Sequence, residues 1–91
     1  MTERDQAMHD AADRHAMAFL ELEHTAGMIK GTRLRGSQEK RMRTYIKRQL
    51  RNDGYGSIEL WIFVAVNLAK IIYAAWKLWQ ERHKTEMMGH A

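Results

Sequence analysis

The sequence predicts an all-α chain of about three helices, roughly residues 3–30, 37–52 and 57–85, and three observations carry that expectation. None of the 91 residues is proline, against a usual share of about 5%, so no residue breaks a helix from within by lacking its N–H. Apolar residues recur at spacings of three and four, and no stretch alternates with the period of two that a strand requires. Four of the six glycines fall in two breaker clusters, "GTRLRGS" at 31–37 and "NDGYG" at 52–56, which divide the chain into three.

Charge divides it the same way. Residues 1–29 hold six acids against Arg4 and Arg14, a net −4, while residues 30–51 hold nine bases against Glu39, a net +8. The remainder, 52–91, holds four bases and four acids and is neutral. One small domain of three unlike segments follows: an acidic amphipathic helix (1–30), a basic linker and helix (31–56), and an apolar helix with a charged tail (57–91). The start, "MTERDQAMHDAADRH", is polar and acidic, unlike a secretory signal peptide.

In the first helix Met8, Ala12, His15, Phe19, Leu22, Ala26 and Ile29 stand 4, 3, 4, 3, 4 and 3 positions apart. That heptad spacing predicts a self-association seam through Met8, His15, Phe19, Leu22 and Ile29. Two alanines and a histidine make the seam thin. A smaller apolar face of Met17, Leu20 and Met28 lies nearly opposite, so the helix is expected to touch two neighbours.

The second helix is expected to start at Ser37 as N-cap, with Glu39 favoured by the positive helix end. Its apolar stripe, Met42, Tyr45, Ile46 and Leu50, is narrow. Lys40, Arg41, Lys47, Arg48 and Arg51 cover much of the remaining surface and are expected to meet an anionic surface. Lipid headgroups and nucleic acid both carry the required phosphates. Tyr45 and Tyr55 are the only aromatics nearby, which argues against base stacking on single strands.

Ser57 is expected to cap the third helix. Ile58 to Trp79 is 22 residues, close to the roughly 20 that cross a bilayer, and Trp61, Trp76 and Trp79 stand where interfacial anchors would. Insertion is nevertheless marginal. Ten Ile, Leu, Val and Phe residues contribute roughly −3 to −6 kcal/mol, whereas Lys70 alone costs about +2.5 to +3.5 kcal/mol. At 100° per residue, Glu59, Asn67, Lys70, Lys77, Glu81 and Lys84 share one side, a stripe about 100° wide. The rest of the circumference up to Trp79 is apolar, wider than two thin neighbours can cover. This helix is therefore expected to meet something outside its own chain, with Asn67, Lys70 and Lys77 turned away from lipid in an oligomer.

Catalytic chemistry is not expected. The chain has no cysteine, hence no thiolate nucleophile, thiolate metal site or disulfide, and it carries no glycine-rich phosphate loop or nucleophile elbow. Glu21 and His24 form a single Glu-x-x-His with no second carboxylate to complete a di-iron-type site, and read as a solvated face. His15 stands on the seam, where a histidine could sense pH, although a packed neutral imidazole is the expected state. His83 and His90 lie in the tail "ERHKTEMMGHA" and predict no metal. Catalytic residues, cofactor and metal are all expected to be absent.

The expectation is a non-enzymatic, self-associating helical protein, a homo-oligomer or part of a larger assembly, whose apolar helix lies in or on a membrane. A small pore-forming, holin-like protein has that plan, as does an accessory subunit of a membrane complex. The basic segment would contact anionic headgroups and keep the N-terminus cytoplasmic. The alternative is a soluble virion or scaffold component whose apolar helix docks on a protein and whose basic segment touches nucleic acid.

Overall fold

A computed structural model describes residues 2–31 and 33–84, and among them every regular element is helical: α1 (Glu3–Thr25), α2 (Gly36–Asn52) and α3 (Ser57–Arg82). α1 starts at Thr2, whose hydroxyl accepts from the Asp5 N–H at 3.1 Å while the Asp5 carboxylate accepts from the Thr2 N–H at 3.4 Å. This reciprocal box satisfies two backbone donors that a helix start leaves open. α1 then stops five residues short of the expected end. Gly27 takes φ +73°, its N–H reaches the His24 carbonyl at 2.9 Å, and the Met28 N–H reaches Glu23 at 2.8 Å. That is the Schellman closure, in which a glycine in left-handed conformation satisfies the last carbonyls. Ala26 and Ile29, counted in the heptad seam, lie beyond the helix.

Ser37 and Ser57 are not the caps that the sequence suggested. α2 is preceded by Arg35 and α3 by Gly56, and in each case the third helical residue reaches back to the cap N–H. Gln38 accepts from the Arg35 N–H at 3.3 Å, and Glu59 from the Gly56 N–H at 3.3 Å. Gln38 also donates from Nε2 to the Met28 carbonyl at 3.0 Å, joining the end of α1 to the start of α2. It is the single buried polar side chain among the described residues, and its hydrogen bonds are why its burial is tolerated.

Long-range pairs set the directions. Arg4 meets Glu59 at one end, while His24 packs edge-on against Trp79 at the other, so α1 and α3 run parallel. Arg41 bonds Glu23 and His15 bonds Asp53, which makes α2 antiparallel to both. The chain is an up-down-up bundle in which each helix touches the other two. Met8, Ala12, Ala16, Phe19 and Leu20 from α1 meet Met42, Ile46 and Leu50 from α2. α3 adds Leu60, Phe63, Leu68, Ile71, Ile72, Ala75, Trp76 and Trp79. Burying each large apolar side chain contributes about 1.5–3 kcal/mol.

Candidate functional site

Two thin helices cover one side of α3 and leave the other open. Ile58 is 80% exposed, Trp61 76%, Tyr73 64%, and Ile62 and Val66 63% each. Ala65 and Ala69 lie between them and are also exposed. At 100° per residue these seven side chains occupy an arc of about 140° along four turns. This apolar stripe is exposed on a chain whose mean hydropathy is −0.58. α3 is also long and apolar enough to cross a membrane by length and composition, with a mean hydropathy of 1.7 over its best window.

Cations border the stripe at both ends. Lys47, Arg48 and Arg51 project from the last two turns of α2 and line a groove with Trp61, Leu60 and Val64. Toward the other end Lys70 is exposed one turn beyond Val66, and the Lys77 ammonium lies 5.4 Å over the Tyr73 ring. None of these five has an acidic side-chain partner among the described residues. Arg41 differs from the rest of the predicted anion-contact set, because its guanidinium is bonded to Glu23 of α1. Lys40 is exposed and stands apart from the groove. Arg43 pairs with Glu39 at 3.1 Å and Arg35 is held by Gln38 and the Met28 carbonyl. Within the predicted anion-contact set, the cations that line the groove without an acidic partner among the described residues are thus Lys47, Arg48 and Arg51 of the second half of α2.

Of the acids near the stripe, Glu59 and Asp53 are bonded within the bundle, whereas Asp5 lines a groove with Ile62 and Val66 and has no cationic side-chain partner among the described residues. Arg4 grips both oxygens of Glu59, at 2.5 and 2.8 Å, and its guanidinium lies 4.9 Å over the Tyr55 ring. The donated hydrogen bonds hold the Glu59 carboxyl below its ordinary value and raise Arg4 above its own. Asp53, next to the groove in sequence, is bonded to His15 at 2.7 Å. The stripe is thus bordered by cations on its α2 flank and at its Lys70–Lys77 end, and by Asp5 on its α1 flank.

The predicted seam on α1 is largely occupied by this chain itself. Met8 and Phe19 are buried in its core, His15 is half-buried against Asp53, and Ile29 packs on the core from the linker. Leu22 remains 57% exposed. Of the α3 polar stripe, Lys70 and Lys77 are exposed and Asn67 is half-buried. One grouping was missed in the sequence: Glu21, His24 and His83 converge at the far end, with His83 stacked 3.7 Å on Trp79 and 3.6 Å from Glu21. His90 lies outside the described residues. His9, Asp10 and Asp13 form a second titratable group on the open face of α1, all three from one stretch of a single helix.

Comparison with protein-family models, curated protein sequences and solved structures finds no match to this chain.

Proposed function

We propose that this protein is a non-enzymatic helical assembly protein that docks on an anionic membrane surface, using the uncovered face of α3. The observation that carries the reading is the pairing of an exposed Ile58–Tyr73 stripe with free cations at both of its ends. An interfacial helix is recognised by this division, with apolar side chains entering the headgroup boundary and Lys and Arg meeting the phosphates. Five cations near an acidic surface supply about 1 kcal/mol each. Trp61 adds an amphipathic ring suited to that depth.

Lying on the membrane accounts for the bundle better than crossing it. A span would have to withdraw eight buried α3 side chains from α1 and α2, and would place Lys70 near the bilayer centre. Nucleic acid satisfies the cations but leaves Ile58, Ile62 and Val66 in water. A second copy laid on the same face answers the apolar stripe but supplies only Asp5 as an unpaired acid along it for the five cations. An acidic lipid surface answers both the apolar stripe and its charge.

The test is sedimentation with phosphatidylcholine vesicles, with and without phosphatidylglycerol, at low and high salt. Binding to the acidic vesicles alone, with a blue shift of Trp emission that Trp61→Phe removes, is the expected result. Because Trp76 and Trp79 are already buried, Trp61 should carry the shift. A chain that stays in the supernatant with both vesicle types at low salt refutes the reading.

A further inference from the structure

The cationic end of the stripe is a shaped groove. About 340 Å³ of space lies between the second half of α2 and the first two turns of α3, within the range of small-molecule sites. Lys47, Arg48 and Arg51 line one wall, Leu60 and Val64 form an apolar floor, and Trp61 stands opposite. Ser57 contributes a hydroxyl at the first position of a 26-residue helix, where backbone N–H groups point outward and the helix dipole is positive. The Thr44 hydroxyl in the same lining already donates to the Lys40 carbonyl at 3.1 Å, which leaves Ser57 as the free side-chain hydroxyl donor.

We infer that this groove seats the phosphomonoester headgroup of an acidic lipid, with its acyl chains leaving along Trp61 and Ile58. The inference rests on the membrane-surface reading above and narrows it to one lipid chemistry. Three cations with no acidic partner match a phosphomonoester, which carries a charge of about −1.5 to −2 at neutral pH, better than a diester with a single charge. Two arginines offer planar forks for phosphate oxygens, and one lysine offers a point charge. Lys47 and Arg51 are four residues apart on one helix and Arg48 and Arg51 are three apart, so in the empty groove these like charges repel. A bound dianion relieves that repulsion and stabilises the folded chain. The apolar floor and the continuous exposed stripe beyond Trp61 favour a phosphate with a hydrocarbon tail.

The experiment compares vesicles containing phosphatidic acid with phosphatidylglycerol vesicles of matched surface charge, using full-length chain. Phosphatidic acid should bind about tenfold tighter, the size of one added charge-assisted hydrogen bond. Arg48→Gln and Arg51→Gln should erase the preference, whereas Lys70→Gln, outside the groove, should weaken both vesicles equally. Equal binding to the two vesicles, with groove variants no different from Lys70→Gln, overturns the seat and leaves the surface reading standing. Soluble short-chain phosphatidic acid and inorganic phosphate, titrated against Trp61 emission, separate the sources. A shift with the lipid at far lower concentration than with phosphate supports the lipid seat. Equal potency makes it a free-phosphate site. No shift with either rejects the groove. If short-chain lipid binds while no vesicle does, the seat stands and the surface reading falls. Displacement of the short-chain lipid by duplex DNA would assign the groove to nucleic acid instead.

Discussion

Arg4 and Glu59 tie the first turn of α1 to the first turn of α3 across 55 positions of sequence, and their chemistry makes a pH prediction. The Arg4 hydrogen bonds hold the folded-state Glu59 carboxyl below its ordinary value of 4.5. A carboxyl lowered by folding contributes stability that is fully present above its unfolded value and is lost as pH falls through the folded one. With side chains 58% and 30% exposed, the pair is solvent-screened and its contribution is small. Urea midpoints measured at neutral pH and at about pH 3 should therefore fall slightly less in Glu59→Gln than in the parent chain. An unchanged acid drop would mean that the clasp adds nothing to stability. The same pair shows what a linear reading misses. Glu59 was legible as part of a polar stripe, but its partner lies at the opposite end of the chain, as Glu23 lies 18 positions from Arg41. Which cations are spent on internal pairs and which stay free is decided by the fold.

Helix ends teach the complementary lesson at the scale of elements. α1 and α2 close in the same way, with Gly27 at φ +73° and Gly54 at φ +101° accepting the left-handed turn and the next residue bonding back into the last turn. Only the second was legible. Gly54 sits among Asn52, Asp53 and Gly56, whereas Gly27 stands alone inside an apolar period that runs on through Ile29. Periodicity cannot tell a helix from a chain that turns and still packs its next apolar residue on the core. The existence and order of the three helices were legible, because they rest on long runs of spacing. A Cβ at Gly27 would meet no atom within 4 Å, so any cost there is purely conformational. Gly27→Ala should destabilise the bundle by about 1 kcal/mol, the penalty of a left-handed L residue, visible as a lower urea midpoint with an unchanged slope. Equal stability would mean that the 26–35 linker re-forms around a different closure.

For the whole molecule, the question is what three helices leave undone. The width of the α3 apolar arc was legible from the sequence, as was the shortage of neighbours to cover it; that the bundle would bury Trp76 and Trp79 while leaving Trp61 outside was not, since it depends on how α1 and α2 wrap α3. Core and surface now make opposite predictions for two substitutions six residues apart on one helix. Leu68 is fully buried, so Leu68→Ala should cost about 2–5 kcal/mol of stability, yet whatever fraction stays folded should still bind acidic vesicles. Ile62 is mostly exposed, so Ile62→Asp should change stability by no more than about 0.5 kcal/mol. The same change sets a carboxylate in the middle of the face that meets the lipid, and vesicle binding should be lost. Denaturation and vesicle sedimentation on both variants separate folding from docking. If α3 instead crossed the bilayer, Leu68 and Ile62 would face similar surroundings, and both variants would weaken membrane association together. Alkaline washing of the membranes distinguishes the two independently: a bundle held on the surface by five cations and a partly inserted stripe is released, whereas a span remains in the pellet. Release together with the Ile62→Asp defect would fix the membrane contact on the uncovered side of a folded bundle, because the buried side of α3 is already occupied by Met8, Leu20, Ile46 and Leu50.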